Sequence, residues 1–194
     1  MNAIDDATLG PALLALARQA IADKLGVESG VTPIFLQVPG LDQALAEPAA
    51  TFVTLTRHGA LRGCIGTLEA HRSLRDDVIA NALAAAFRDP RFPPVSAAEW
   101  PTISLEVSRL TPAVPLPVAD EADLLRQLRP QQDGIILRCG QHRATFLPQV
   151  WDQLPTPREF IARLKEKAGL PAHFWSPDMA VARYTVSKWI EDAR

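Results

Sequence analysis

Apolar residues at Leu9, Leu13, Leu16, Ala17, Ala20, Ile21 and Leu25 recur every three or four positions, the spacing of one helix face, and predict a helix from about Thr8 to Leu25 closed by Gly26. A proline-punctuated stretch from Pro33 to Pro48 then reads as loop with short extended pieces. Thr51 to Arg57 is rich in β-branched and aromatic residues and reads as a strand. His58 and Gly59 supply a turn, and Leu61 to Thr67 forms the second arm of a hairpin. Ser73 and Asp76 form a capping-box pair that opens a helix on Leu74, Val78, Ile79, Ala82, Ala85 and Ala86, which stops ahead of Pro90. From Ile103 to Leu110 apolar and polar residues alternate as in a half-buried strand.

Thr111 to Ala119 carries three prolines and is the best candidate for a connection between lobes. A helix near Glu121 to Leu128 follows, then a second hairpin in which Gly134–Cys139 and His142–Leu147 flank a type II′ turn at Gly140-Gln141. Thr156, Pro157 and Glu159 supply an N-cap, a first-turn proline and the reciprocal cap carboxylate of a helix that ends at Gly169. Val181 to Ile190 reads as one last strand with Tyr184 and Trp189 on opposite faces. Helices and hairpins are interspersed without strict βαβ alternation, so the class is α+β with a largely antiparallel or mixed β-sheet and flanking helices.

The chain has 194 residues, enough to bury a core without disulfides or metals. It is read as a single domain over 1–194, with a possible smaller lobe built from segments around 26–50 and 111–130. A formal net charge of −2 and scattered basic residues give no footprint for nucleic acid. No signal-peptide pattern and no membrane-length apolar run appear, so a cytoplasmic protein is expected. Cys64 and Cys139 are the only cysteines and lack any CxxC spacing; His58, His71, His142 and His173 are isolated. No metal and no nucleotide cofactor is expected, since neither the ligand spacings nor the glycine-rich phosphate loops are present.

One stretch is chemically dense. Leu61-Arg62-Gly63-Cys64-Ile65-Gly66-Thr67 combines a thiol, a guanidinium and two glycines in a strand. Strict alternation puts Arg62 and Cys64 on one face and Leu61, Gly63 and Ile65 on the other. If Leu61 and Ile65 point inward, Arg62 and Cys64 face a second layer or a cleft, and a fixed positive charge near a thiol favours the thiolate. The bland reading is a small buried cysteine beside glycines that mark a bulge or tight packing. Arg88 to Pro94 reads as a stiff, solvated charged loop, and Glu106 as a strand carboxylate facing solvent. Cys139, at a turn, reads as structural.

LRGCIGT at Leu61–Thr67 resembles the signature of the AmmeMemoRadiSam system protein A family, relatives of a protein named for the Alport syndrome, midface hypoplasia and elliptocytosis chromosomal region. AAFRDPRFPPV at Ala85–Val95, LEVSRLTP at Leu105–Pro112, FLPQVW at Phe146–Trp151 and KAGL at Lys167–Leu170 fit the same family in order. The resemblance implies a two-lobed α+β fold whose motif borders a cleft, with Arg62, Gly63, Cys64, Ile65, Gly66 and Thr67 as functional positions. It also implies a setting beside a Memo-like protein and a radical S-adenosylmethionine enzyme. Two hypotheses follow. In the first, Cys64 is a nucleophile or carrier assisted by Arg62, with His142 or His71 as base and Arg91, Glu106 and the flanking motif residues as contacts for a small-molecule or peptide ligand. In the second, the protein is a non-catalytic accessory module whose Gly63 and Gly66 admit a partner's backbone.

Overall fold

The computed structural model describes residues 4–31 and 38–191. In chain order its elements are α1 (Asp6–Leu25), α2 (Leu41–Ala46), β1 (Ala50–Arg57), β2 (Ala60–Gly66), α3 (Leu74–Phe87), β3 (Ile103–Leu110), β4 (Val114–Pro115), α4 (Glu121–Gln127), β5 (Gly134–Cys139), β6 (His142–Phe146), α5 (Pro157–Lys167), β7 (Ala180–Tyr184) and β8 (Val186–Ile190). The class is α+β, with two four-stranded antiparallel sheets ordered β2-β1-β3-β8 and β4-β7-β5-β6. The chain divides into two compact units. One comprises residues 1–110 and 187–194, the other Thr111–Val186. The boundary at Leu110 coincides with the start of the proline-bearing segment. Segment 111–130 opens the second unit, whereas the described part of 26–50 belongs to the first.

In the first unit, α1 and α3 pack on one face of the sheet because their small and apolar residues match the inward side chains of β1 and β3. Leu13, Ala17 and Ile21 of α1, Val78 and Ala82 of α3, and Val53, Leu55, Ile103, Leu105 and Val107 of the strands are all fully buried. Asp5 caps α1 by accepting the Thr8 N–H at 2.9 Å, and Gly26 closes it at φ 69°. The buried Arg18 of α1 bonds the Glu191 carboxylate, donates to the Ile103 carbonyl at 2.7 Å and lies over the Trp100 ring at 4.4 Å. The β1–β2 turn has positive φ at both His58 (51°) and Gly59 (78°), the type I′ geometry that suits strand twist.

The second unit is built around Trp151, which stacks on Phe160 with ring centroids 3.8 Å apart. Its hairpin turn has a positive φ of 57° at Gly140. Thr156 caps α5 by accepting the Glu159 N–H at 3.3 Å. Lys165 is fully buried and donates to Glu121 Oε1 at 2.9 Å and to the Phe174 carbonyl at 3.0 Å, tying α5 to α4.

Two expectations need correction. The Pro33–Pro48 stretch holds helix α2 rather than loop alone; its two buried leucines, Leu41 and Leu45, are too few to register as a period. Residues 33–37 of that stretch lie outside the described residues. The last strand is in fact two, β7 in the second sheet and β8 in the first, so Tyr184 and Trp189 do not share a strand. The change of sheet occurs at Thr185, whose N–H donates to Thr111 Oγ1 at 2.9 Å while its carbonyl accepts the Thr111 N–H at 2.9 Å. Alternation continues through that point, and so it hides the change of partner.

Candidate functional site

The β1–β2 ladder is interrupted at the motif. Arg57 faces Ala60 and Thr56 faces Leu61, but Leu55 faces Gly63, so a bulge at Arg62 shifts the register by one residue. Beyond it Thr54 faces Cys64 and Val53 faces Ile65. Because Val53 and Leu55 are fully buried, Gly63 and Ile65 turn toward α3, and Cys64 turns to the opposite face beside Thr54. An unbroken ladder would have set Cys64 against Val53, in the core. Leu61 lies before the bulge, sides with Thr56 and is 45% exposed, so the expectation that it points inward with Ile65 is overturned.

The bulge also removes Arg62 from the thiol. Its Nη2 donates to the Pro93 carbonyl at 2.8 Å and to Glu99 Oε1 at 2.7 Å, while Nη1 is buried without a partner among the described residues. Arg62 therefore binds strand β2 to the segment after α3. The cation beside Cys64 is Arg91, whose Nη2 donates to the Cys64 carbonyl at 3.1 Å.

Arg91 is held by Asp89. The Arg91 Nε donates to Asp89 Oδ1 at 2.9 Å and Nη2 to Oδ2 at 2.6 Å, while the Cys64 N–H donates to Oδ2 at 2.9 Å. Since β2 is an edge strand, Asp89 and Arg91 satisfy the N–H and C=O of Cys64 as a neighbouring strand would. The arginine's hydrogen bonds hold the Asp89 carboxyl well below the usual carboxylate range, and Asp89 in turn raises Arg91 above its ordinary value. The segment expected to be solvated thus buries its carboxylate, with Asp89 3% exposed. Sequence reasoning missed Asp89; the only local signal is an acid two residues before an arginine in a proline-stiffened loop.

On its outer face the sheet carries a polar row. The Thr54 hydroxyl donates to Cys64 Sγ at 3.3 Å, and across β1 Thr54 faces Glu106 of β3. Glu106 pairs with Lys188 of β8 at 3.2 Å. A thiol, a hydroxyl, a carboxylate and an ammonium therefore lie in sequence across one face, and Cys64 itself is half-buried. Thr54 was not among the candidates, because its place opposite Cys64 depends on the bulge.

Other motif residues have structural duties. A Cβ on Gly63 would lie 2.3 Å from the Ala85 carbonyl oxygen, and one on Gly66 would lie 2.2 Å from the Phe52 ring. The space beside both glycines is filled by the protein itself, by α3 in one case and an aromatic side chain in the other. Thr67 donates its hydroxyl to Asp77 at 2.8 Å. Asp77, fully buried, also accepts from the Thr51 N–H (2.8 Å) and hydroxyl (2.7 Å), Arg72 Nε (2.7 Å) and Asn81 Nδ2 (3.0 Å). His71 is exposed and its Nδ1 meets the Glu69 carbonyl at 2.9 Å. His142 belongs to the second unit, opposite Cys139 on the hairpin, with Nδ1 2.9 Å from the Ala168 carbonyl. Among the described residues there is no group of three or more metal-ligating side chains and no helix long and apolar enough to cross a membrane.

Comparison with known proteins finds relatives along most of the chain. A protein of Methanothermobacter thermautotrophicus is 38% identical over 190 residues, covering 94% of each chain. One from Thermotoga maritima is 40% identical over 143 residues, 73% of this chain and 77% of its own. The crystal structure of an uncharacterized protein from Pyrococcus horikoshii is 33% identical and superposes with a TM-score of 0.77, covering 96% of this chain and 93% of that one. The AMMECR1 family profile matches residues 14–189, which takes in both sheets and the bulged strand alike, and the chain belongs to the AMMECR1 family.

Proposed function

We propose that the outer face of the first sheet is a site of thiol chemistry in which Cys64 is the reacting group. The observation that carries this reading is the Thr54 hydroxyl donating to Cys64 Sγ on a face turned away from the core. A hydroxyl donor stabilises charge on sulfur, and half-burial leaves the sulfur open to a small electrophile. In the reaction the sulfur forms a bond to an electrophilic carbon, the thiol proton passes to solvent, and the leaving group departs with its electron pair. A reducing compartment such as the cytoplasm keeps the thiol free for this step. Arg62 takes no part; it holds the segment after α3.

The test is alkylation of the folded protein by iodoacetamide at neutral pH, followed site by site by mass spectrometry. Cys64 is expected to react faster than Cys139, and Thr54→Val to slow it roughly three- to tenfold, the worth of one hydrogen bond. A Cys64 that reacts only after unfolding would overturn the reading.

An accessory role with a Memo-like protein and a radical S-adenosylmethionine enzyme is the second reading. It is favoured by exposed apolar residues on both edge strands of this sheet, Leu61 at 45% and Ile190 at 62%. It requires that Cys64→Ser leave partner binding intact and that Leu61→Asp abolish it.

A further inference from the structure

We infer that the Cys64 site accepts an anionic substrate and that the outward edge of the Arg91 guanidinium recognises its negative charge. The inference rests on the thiol reading above and names its substrate class. The Asp89–Arg91 pair is oriented. The Asp89 side chain is 1% exposed and the Arg91 side chain 53%, so the carboxylate faces inward and the guanidinium outward. Asp89 and the Cys64 carbonyl engage Nε and Nη2, and neither takes Nη1.

Arg91 stands at the edge of β2 against the residue that bears the thiol, since its Nη2 bonds the Cys64 carbonyl. The sulfur also adds to the electrostatic preference of Arg91 for its charged form, after the larger contribution of Asp89. The nearby cations differ from Arg91 in this respect. Arg62 has an 11% exposed side chain directed to Pro93 and Glu99, and Lys188 stands on β8, at the opposite edge of the sheet from β2. Arg91 is thus the group that presents a positive end to a ligand arriving at Cys64. A guanidinium fork suits a carboxylate or phosphate.

Two reagents that transfer the same carbon separate charge recognition from thiol reactivity. Iodoacetate is anionic and iodoacetamide neutral; with each, a C–S bond forms, the C–I bond breaks, iodide leaves with the electron pair and the thiol proton goes to solvent. The quantity read is the iodoacetate-to-iodoacetamide rate ratio at Cys64, divided by the same ratio at Cys139, on the full chain. It is expected to exceed unity by about three- to tenfold, the effect of one exposed charge at close range. It should fall toward unity in Arg91→Gln, be largely kept in Arg91→Lys, and fall in the wild type as salt is raised. Salt dependence in the wild type keeps the test valid if Arg91→Gln fails to fold. If Cys64 reacts with both reagents but the ratio is near unity and indifferent to salt, the anionic-substrate inference is wrong and the thiol reading stands. If Cys64 reacts with neither reagent, the thiol reading fails and this inference with it.

Discussion

Gly63→Ala tests whether the glycines of the motif serve packing or ligand access. The added Cβ would sit 2.3 Å from the Ala85 carbonyl oxygen, and Ala85 is a buried residue in the last turn of α3. Reaching ordinary contact requires a separation of α3 from β2 by about 1 Å, against a close-packed interior. The obstacle is backbone, so no rotamer change relieves it, and the cost falls at the upper end of overpacking, about 3 kcal/mol. For Gly66→Ala the nearest obstacle is the Phe52 ring, at 2.2 Å, and Phe52 is half-buried and able to swing aside. Its cost is expected near 1 kcal/mol, and the double variant with Phe52→Ala should show a favourable coupling of about 0.5–1 kcal/mol. Urea unfolding monitored by circular dichroism measures all of these. A loss of less than about 0.5 kcal/mol for Gly63→Ala, within the range of neutral surface changes, would refute the packing argument and restore a ligand role for that glycine.

Other expected outcomes concern the charged groups. Asp89 has a depressed pKa in the folded state, so its clamp is fully present above about pH 4, the unfolded value, and is lost as pH falls from there toward the folded value. Asp89→Asn should therefore lower stability at neutral pH by about 1–3 kcal/mol, with the gap to the wild type closing in acid; a constant gap across an acid titration of urea midpoints would contradict this. Arg62→Gln removes the bonds to Pro93 and Glu99 and should cost about 1–3 kcal/mol, yet leave alkylation of the folded Cys64 unchanged; slower alkylation without unfolding would return Arg62 to the site. Asp77→Asn exchanges a carboxylate surrounded by donors for an amide that turns an N–H₂ toward them, and should cost about 3–5 kcal/mol in thermal or urea unfolding.

Local signals were legible wherever a few neighbouring residues decide the outcome. Asp76 opposite Ser73, Pro157 and Glu159 after Thr156, the paired positive φ of His58-Gly59, and the alternation over Ile103–Leu110 each fix an element by interactions within one turn or one strand. The α+β class followed from their order, and residue type alone singled out the thiol and guanidinium of the motif as candidates. Helix α2 escaped because two leucines make no period, and the β7–β8 break because alternation runs on through Thr185 while the partner strands change.

The site itself was decided by tertiary contacts. One extra residue at Arg62 reverses the facing of everything beyond it in β2, which leaves Leu61 on the opposite face from Ile65, sends Arg62 to Glu99 and sets Cys64 beside Thr54. Glycine at position 63 signals a possible bulge in the sequence, but where the extra residue falls depends on α3 pressing its Ala85 carbonyl against that glycine. Likewise, nothing local distinguishes a solvated Asp89 from one buried against the edge of β2, because the N–H it accepts lies 25 residues away along the chain. Sequence alone determines what each short segment favours on its own; register, facing and the pairing of distant charges are settled only when the layers pack, since they depend on groups that are neighbours in space and not along the chain.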